Sequence, residues 1–434
     1  MWAAVLHQGI AAIADAPPSF LDVFRAHRAY AWRVLRYLGV SEAELCRRTA
    51  IDPWFMAQLG SLVICGDAHV NNFGFYGTPQ GEVVFDINDF DETTIGPWEW
   101  DLKRLTASVN VLGRENGLNA RERRTAAELC VAGYRLNMQR LQSMGVFDLW
   151  YVHTTLDRID VAAIERAHPK VARMWPKARA VFAKAAAKAR RSNNQLLLRK
   201  MADRSVDGGW RLRSDAPLLE PVDAATHDKI IGALNAYADT VAPERHFMLR
   251  RYHVVDVAHR VVGVGSVGTR AYLALLFGNS DDDPLFLQVK EAIAPAHAPY
   301  LPPLAPHLQH NGCRVASGQV VLQAAHDPML GWADVDGRHY YVRQMKNMKG
   351  ALPTAYLSGD AFDFFAFGFG ALLARAHARS GDAAVIAGYC GTSPVLDQAL
   401  AEWAEAYGEQ TVKDHAALLH AIKSRRIEAM EEPA

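Results

Sequence analysis

Two apolar runs, each followed at once by a dense group of polar side chains, constrain this chain more than any other feature. The first run is Leu62–Cys65, which leads directly into Gly-Asp-Ala-His-Val-Asn-Asn. The second begins at Val83, after a turn around Gly81, and carries four acidic residues within seven positions: Asp86, Asp89, Asp91 and Glu92. Short apolar runs bounded by turn residues predict strands. The pattern therefore predicts two paired strands that deliver carboxylates to one phosphate and metal site.

The residues Asp67 and Asn72 follow the spacing D-x-x-x-x-N, which is the spacing of the protein-kinase catalytic loop. In that loop the Asp accepts the proton of the substrate hydroxyl and the Asn binds a metal ion. A second Asp then holds Mg²⁺ against the phosphates; Asp89 is our candidate, with Asp86 in reserve. Mg²⁺ takes few hard oxygen ligands and keeps its waters. We predict Asp67, Asn72 and Asp89 as catalytic residues, and Asn72, Asp89 and Asp86 as metal ligands.

A glycine-rich segment lies between two β-like runs later in the chain, and a third run ends in Val289-Lys290. Strand, glycine loop, strand, turn and strand ending in Lys is the order of a kinase nucleotide-binding lobe. The segment does not open a helix, which speaks against a dinucleotide-binding motif. Glycine lets the backbone lie close over phosphates, and lysine supplies a point charge. We predict that ATP is bound by Gly263, Gly265, Ser266, Gly268 and Lys290.

These two predicted halves of the site occur in the reverse of the kinase order, since Asp67 precedes Gly263. If both interpretations hold, the chain is circularly permuted relative to a protein kinase. Such a permutation requires the N- and C-termini of the unpermuted fold to lie close together, as they often do in compact domains. We therefore predict an α+β, protein-kinase-like two-lobe fold, circularly permuted. Its large lobe is mostly helical, and its small lobe is an antiparallel β lobe.

Hydrophobic periodicity divides the chain into four parts. Residues 1–60 form an N-terminal helical segment, and 61–240 hold the catalytic-loop hairpin and a helical lobe. Residues 241–350 form the β-rich nucleotide-binding lobe. Residues 351–434 are predicted to be helices that pack on the helical lobe. Asp203–Pro217 is polar and contains glycine, which predicts a loop or hairpin inside the second part.

Several motifs carry a resemblance to a known family: Gly66-Asp67-x-His69-x-x-Asn72-Phe73-Gly74, Asn88-Asp89-Phe90-Asp91-Glu92-Thr93, Gly96-Pro97-Trp98-Glu99-Trp100-Asp101, Gly312-x-Arg314-Val315-x-x-Gly318-Gln319, Leu330-Gly331-Trp332 and Tyr341-Val342-Arg343-Gln344. On these motifs the chain, from residue 60 onward, resembles the bacterial DUF2252 family. That family is an uncharacterised group similar to aminoglycoside phosphotransferases and other protein-kinase-like proteins. The resemblance implies a fold and phosphotransfer machinery, but no substrate. It also implies that Asp101 holds the catalytic loop by accepting backbone N–H bonds.

Composition narrows the class of partner. The 434 residues carry 47 basic and 47 acidic side chains, so net charge gives no reason to expect a nucleic-acid or membrane-surface protein. The cysteines are odd in number and scattered, which is typical of reduced thiols in a cytosolic protein. Apolar runs are too short for a membrane span, and the first residues lack a basic region typical of a signal peptide. We predict a cytoplasmic protein whose partners are a nucleotide and an unidentified small-molecule or protein acceptor.

Other interpretations of the same residues stay open. No carboxylate occurs between His307 and Gln323, where a helical Glu would pair with Lys290; Gln319, Gln323 or Glu291 would have to substitute. This gap favours an inactive nucleotide-binding module, and kinase-like folds can also transfer AMP. Asp67-Ala68-His69 is in addition a D-x-H motif, found in metallophosphoesterases, although that chemistry needs two metals and more histidines. The pair Asp67 and Asn72 could also simply cap a turn at a strand end.

Overall fold

The computed structural model describes residues 61–155, 159–206, 208–261 and 268–427. Helices and antiparallel sheets both occur in these residues, which confirms the predicted mixed α+β class. The kinase-like two-lobe arrangement and the circular permutation stay predictions. The predicted helical segment 1–60 lies outside the described residues.

The strands, in chain order, are β1 Ser61–Ile64, β2 Phe73–Gly77, β3 Val83–Ile87, β4 Thr94–Pro97, β5 Ala202–Arg204, β6 Trp210–Leu212, β7 Leu219–Pro221, β8 His253–Arg260, β9 Ala271–Phe277, β10 Pro284–Glu291, β11 Gly331–Val335, β12 Arg338–Gln344 and β13 Gly350–Ala351. The α-helices are α1 Trp98–Glu115, α2 Ala120–Leu141, α3 Val146–Tyr151, α4 Val161–Ala167, α5 Pro169–Ala172, α6 Trp175–Arg190, α7 Asn194–Met201, α8 Ala224–Tyr237, α9 His246–Leu249, α10 Asn311–Leu322, α11 Gly359–Ala378, α12 Ala383–Cys390 and α13 Val395–Lys423.

The strands around the predicted catalytic loop pair differently from the prediction. The two apolar runs that precede Asp67 and Asp89 are not partners of each other: β1 pairs with β4, and β3 pairs with β2. The turn at Gly81 joins β2 to β3, so it is a hairpin turn as predicted. Both runs still end beside the same loop region, because β1 delivers Asp67 and β3 delivers Asp89.

The helical part is organised by the contact between α2 and α11. Gly133 and Gly370 lie where these helices cross, and a Cβ on either would overlap a backbone carbonyl oxygen of the other helix, that of Phe367 or Cys130. Glycine is required here because the two backbones touch. The large apolar core is built on these helices together with α1, α6 and the β2–β3 hairpin. A row of phenylalanines on α11 contributes much of it.

The β-rich part is a six-stranded antiparallel sheet with the order β11-β12-β10-β9-β8-β7. One face carries Ala274, Leu276 and Leu287 and packs on α8. The opposite face carries Leu273 and Phe286 and packs on α7 and the β5–β6 hairpin. By packing, α7 and α8 therefore accompany this sheet, whereas the sequence prediction assigns both to the 61–240 part.

The segment after β12 returns the chain from the six-stranded sheet to the β2–β3 hairpin. The Gly77 N–H donates to the Asn347 carbonyl at 2.8 Å, and Gly350 pairs with Phe75 across β13 and β2. Downstream, α13 is one continuous helix over Val395–Lys423. Helix α10 lies between the sheet and the helical core, since Val315 and Leu322 join that core while Gly312 meets the Tyr340 carbonyl. Among the described helices, none has both the length and the apolar character needed to cross a membrane.

Candidate functional site

The loop that carries Asp67 is fixed by its backbone. Gly66 has φ of +80°, and a Cβ there would overlap the carbonyl oxygen of Glu92. The Asp101 carboxylate accepts the N–H of Cys65 at 2.7 Å and the N–H of Gly66 at 3.0 Å. This confirms the expected role of Asp101: it holds the loop and is not aimed into the cleft.

A buried chain of hydrogen bonds supports Asp101 from behind. His377 of α11 contacts the Asp101 Oδ2 atom through Nε2 at 3.1 Å, and its Nδ1 atom lies 2.9 Å from the Tyr134 hydroxyl of α2. All three side chains are buried, with exposed fractions of 0 to 1%. The position of the loop is therefore coupled to the packing of α1, α2 and α11.

Asp67 and Asn72 lie together, with Asp67 partly exposed and Asn72 buried. The Asn72 Nδ2 atom donates to the backbone carbonyl of Asp67 at 2.7 Å, so its Oδ1 atom is the one left for a ligand. The Asp67 carboxylate is 44% exposed, which makes it accessible to an acceptor. It accepts a hydrogen bond from Arg104 Nε at 2.7 Å, and His69 lies 3.7 Å away. Burial lowers the pKa of His69, although the Asp67 charge opposes that shift.

The acidic segment after β3 meets Lys290. The Lys290 Nζ atom donates to Asp91 Oδ2, and the Lys290 side chain is 9% exposed. The other carboxylate oxygen, Asp91 Oδ1, is buried and has no hydrogen-bond partner among the described residues. Burial alone would raise the pKa of Asp91, but the charges of Lys290 and Arg343 outweigh it and lower the pKa. Asp89 is two residues away, and its Oδ1 atom accepts the N–H of Phe90 at 3.0 Å.

Helix α10 packs directly against this acidic segment. Arg314 donates to the backbone carbonyls of Asp91, Thr93 and Ile293, at 3.0 Å for Asp91 and 2.7 Å for Ile293. A Cβ on Gly318 would overlap the Thr93 side chain. Sequence reasoning gave Arg314 and Asp91 no role in the site. Arg314 could have been found from the Gly312-x-Arg314 motif. Asp91 was indicated only by its position in the acidic group, two residues after Asp89.

The substitutes expected for a helical Glu have other partners. Gln319 donates to Gln323 at 2.9 Å, and Gln323 donates to the Ile87 carbonyl at 2.6 Å. Glu291 accepts from Arg338 at 2.8 Å and from the Arg270 N–H at 2.9 Å. Lys290 therefore takes its acidic partner from the segment after β3 and not from α10.

Asp86, the reserve metal ligand, lies inside the protein. It is 2% exposed and forms an ion pair with Arg375 of α11. Its Oδ2 atom also accepts the Ala324 N–H at 3.0 Å and faces the Tyr76 hydroxyl at 3.4 Å. Both oxygens are thus engaged by the protein, and we leave Asp86 out of the metal set proposed below.

Most of the predicted glycine loop cannot be compared with the structure. Gly263, Gly265 and Ser266 lie outside the described residues, in the gap between β8 and β9. Gly268 is described, with φ of +87° and open space around the position of a Cβ. The strands on either side of this gap, β8 and β9, belong to the same sheet as β10, which carries Lys290.

The cleft residues fit a magnesium ion in their chemistry. Asp89 and Asn72 offer hard oxygen atoms, and the buried Asp91 Oδ1 atom lacks a partner that would compensate its loss of water. Such an unpartnered carboxylate oxygen is the kind of ligand Mg²⁺ uses. The residues present are therefore consistent with the predicted metal, although Asp91 replaces Asp86 in the set.

A second group of possible metal ligands lies on the β-rich part: His310, Asp334 and His339. The two imidazole rings stack at 4.0 Å. Their Nδ1 atoms accept the backbone N–H groups of Cys313 and Asn311, both at 3.0 Å. In the neutral rings the proton is therefore on Nε2, the atom a metal would need, so these histidines serve to cap the start of α10.

The fold and the site define a mixed α+β protein in which an acidic, loop-bearing helical part meets a lysine from an antiparallel sheet. The chain belongs to the family described as "Uncharacterized protein conserved in bacteria (DUF2252)", whose model matches residues 56–421. No curated protein matches the chain. No solved structure matches it either.

Proposed function

We propose that this protein is an ATP- and Mg²⁺-dependent phosphotransferase with a circularly permuted, kinase-like two-lobe fold, acting on a hydroxyl acceptor. One observation carries the proposal: Lys290 and Asp91 form an ion pair although 199 residues separate them. Phosphoryl transfer of the kinase type needs a lysine and metal-binding carboxylates around one triphosphate. The pair brings the lysine strand next to the segment that holds Asp89.

The order of elements supports the same proposal. Strand β8, the segment 262–267, strand β9 and strand β10 with Lys290 are followed by helix α10. A kinase nucleotide-binding lobe has this order of strand, glycine loop, strand, lysine strand and helix. The catalytic segment precedes these elements in the chain, which is the reason for proposing a permutation.

In the proposed reaction, Lys290 neutralises phosphate charge and Asn72, Asp89 and Asp91 Oδ1 hold Mg²⁺. When bound, the metal supplies charge neutralisation for the phosphates. Asp67 orients the acceptor hydroxyl and takes its proton. The acceptor oxygen forms a bond to the γ-phosphorus, the bond to the bridging oxygen breaks, and ADP leaves. The chain contributes mainly position and electrostatic stabilisation, because this chemistry asks for little else.

Two observations favour a second candidate, an inactive nucleotide-binding module. Within the described chain, α10 offers Lys290 no carboxylate, and the Asp67 carboxylate is already paired with Arg104. Nucleotide binding and turnover must therefore be measured separately.

The test measures nucleotide binding by calorimetry and ATP consumption with Mg²⁺, for the wild type and three variants. Lys290→Met is expected to weaken ATP binding, and Asp89→Asn to remove the Mg²⁺ dependence of that binding. Asp67→Asn is expected to bind ATP normally but to lose turnover. Lys413→Met, a change of the same kind on an exposed lysine of α13, is the control. A wild-type protein that binds no nucleotide with Mg²⁺ would overturn the proposal, and one that binds but never turns over would favour the inactive module.

A further inference from the structure

Two cations of the cleft have no acidic partner within ion-pair distance in the described part of the chain: Arg343 and Lys349. They come from the end of β12 and from the segment that leads to β13. The sequence analysis assigned neither residue to the site. Arg104 and Lys290, by contrast, are each bonded to a carboxylate.

Arg343 is held by neutral groups only. Its Nε atom donates to Gln288 Oε1 at 3.2 Å, and one terminal nitrogen donates to the Asn88 carbonyl at 3.2 Å. The guanidinium lies over the Tyr341 ring, 5.3 Å from its centroid. These contacts fix the plane of the guanidinium and leave its second terminal nitrogen without a hydrogen bond among the described residues. A planar cation held in this way is suited to a phosphate.

Lys349 is presented by a rigid and strained segment. The residue before it, Met348, has φ of +52°, and its N–H donates to the Ser192 carbonyl at 2.9 Å. The residue after it, Gly350, pairs with Phe75 in β2. A non-glycine residue in the left-handed region is strained, and such strain concentrates at functional sites. The backbone is thus fixed on both sides of a half-buried lysine.

The charges around Lys349 come from every neighbouring element. Arg343 of β12 and Lys346 of its own segment repel it, while Asp327 after α10 and Asp89 after β3 attract it. Asp327 is engaged elsewhere: it accepts the Gln344 N–H at 2.6 Å, the Gln344 side-chain amide at 3.0 Å and the Met329 N–H at 2.9 Å. Burial, with Arg343, lowers the pKa of Lys349 to about 7, which reflects the lack of a bonded anion.

The register of the sheet gives the distance between Arg343 and Lys290. In the sheet, Tyr341 lies opposite Lys290, and Arg343 lies opposite Gln288. Arg343 is therefore two residues along the strand from the level of Lys290, about 7 Å, on the same face of the sheet. Lys290 reaches Asp91, and Arg343 donates to the carbonyl of Asn88, the residue before Asp89. The Asn88 side chain and the carbonyl of Gly350, the residue after Lys349, both lie against Gly74 of β2, which places Lys349 in the same region.

We infer that Arg343 and Lys349 form a second phosphate-binding position in the cleft, separate from Lys290. The ligand is a phosphate group, supplied either by the end of a nucleotide triphosphate or by a phosphorylated acceptor. The first source rests on the function proposed above, whereas the second does not. Either source supplies the negative charge that the two cations lack.

Calorimetry on the full chain at fixed ionic strength tests this inference with three probes: ATP, ADP and inorganic phosphate. The variants are Lys349→Met, Arg343→Met, the charge-conserving Lys349→Arg, and Lys413→Met, on the exposed surface of α13, as the matched control. Losing one charge-assisted hydrogen bond should weaken phosphate binding about 10- to 100-fold. Lys349→Arg and Lys413→Met should change it little, and circular dichroism checks that each variant is folded.

The three probes separate the sources and the two proposals. Weaker binding of ATP, with ADP unchanged, identifies the nucleotide's terminal phosphate. Weaker binding of inorganic phosphate alone, with both nucleotides unchanged, identifies a phosphorylated acceptor. Variants of Arg343 and Lys349 that bind all three probes like the wild type overturn the inference, even if Lys290→Met abolishes ATP binding. Phosphate binding that depends on Lys349 in a protein that binds no nucleotide supports the inference and removes the proposed function.

Discussion

The ammonium of Lys290 bonds to the carboxylate of Asp91, and this contact joins the antiparallel sheet to the acidic segment after β3. The Lys290 side chain is 9% exposed and that of Asp91 is 31% exposed, so neither charge is well solvated. A charge in such a place depends on its partner, because removing one leaves the other uncompensated. The pair therefore affects both stability and any binding in the cleft.

The Lys290–Asp91 pair predicts a strong coupling energy. Lys290→Met and Asp91→Asn should each lower the free energy of unfolding by about 3 kcal/mol, because each leaves one group buried alone. The double variant should lose much less than the sum of the two. Urea unfolding of the four proteins measures this. The exposed pair Lys177–Asp360 is the control, with an expected coupling below about 1 kcal/mol; additive effects at Lys290 and Asp91 would contradict the prediction.

Substitution of Gly66 is predicted to destabilise the protein for two separable reasons: the positive φ of Gly66 and its close contact with the Glu92 backbone. Gly81 has the same φ of +80° but open space around it, whereas a Cβ on Gly66 would overlap the Glu92 carbonyl. Gly81→Ala should cost about 1 kcal/mol from φ alone. Gly66→Ala should cost about 3 kcal/mol or more, because an overlap with backbone is added.

Thermal and urea unfolding of the two alanine variants measures the difference. If Gly66→Ala costs no more than Gly81→Ala, the close approach of the Asp67 loop to Glu92 is wrong. Any assay of ATP turnover should show the same order, since displacing Gly66 displaces its neighbour Asp67.

Asp101 is predicted to act on the loop and not on the ligand. Asp101→Asn has only one acceptor oxygen for the N–H groups of Cys65 and Gly66, and it loses the charge that His377 faces. Since the carboxylate is 1% exposed, the loss should reach about 3 kcal/mol. Hydrogen exchange of the Cys65 and Gly66 amides should become faster by more than that of amides in α2. Glu99→Gln, a loss of charge in the same first turn of α1, should leave both amides protected.

The sequence predicted the residues that act locally and failed where packing decides. Asp67, Asn72 and Asp101 are joined by bonds within one loop and the start of one helix, so their spacing was informative. Whether Asp86 or another carboxylate is available as a metal ligand depends on which way a strand residue points. Asp86 points at Arg375, 289 residues away, and no local pattern encodes that contact.

Long-range packing also explains the other differences between the sequence predictions and the structure. The partner of Lys290 was sought on the following helix, but that helix supplies Arg314, which holds the backbone of the acidic segment. The sequence analysis gave Lys349 no place in the site. Lys349 is half-buried because Gly350, the next residue, is anchored on β2 by a long-range strand contact. Helix α7 lies on the β-rich part because Leu197 and Leu198 fill a face of the six-stranded sheet.

Asp363 predicts how stability depends on pH. It lies half-buried on α11, and burial, with the charges of Asp360 and Glu122, raises its pKa to about 6 although Lys170 opposes the shift. A raised pKa means that the folded protein binds a proton more readily than the unfolded chain, whose Asp titrates near about 3.9. This group therefore destabilises the fold progressively as the pH rises from the unfolded value through 6.

Asp363→Asn removes that effect, because Asn resembles the protonated acid. The variant should match the wild type at the low end of this range and exceed its free energy of unfolding by up to about 3 kcal/mol at pH 7. Urea unfolding at several pH values between 4 and 7.5 measures the difference. Asp281→Asn, which removes an exposed carboxylate paired with Arg204 and far from the causes of the Asp363 shift, should show no such gain. A difference between Asp363→Asn and wild type that is constant with pH would mean that Asp363 is charged in the folded protein over the whole range.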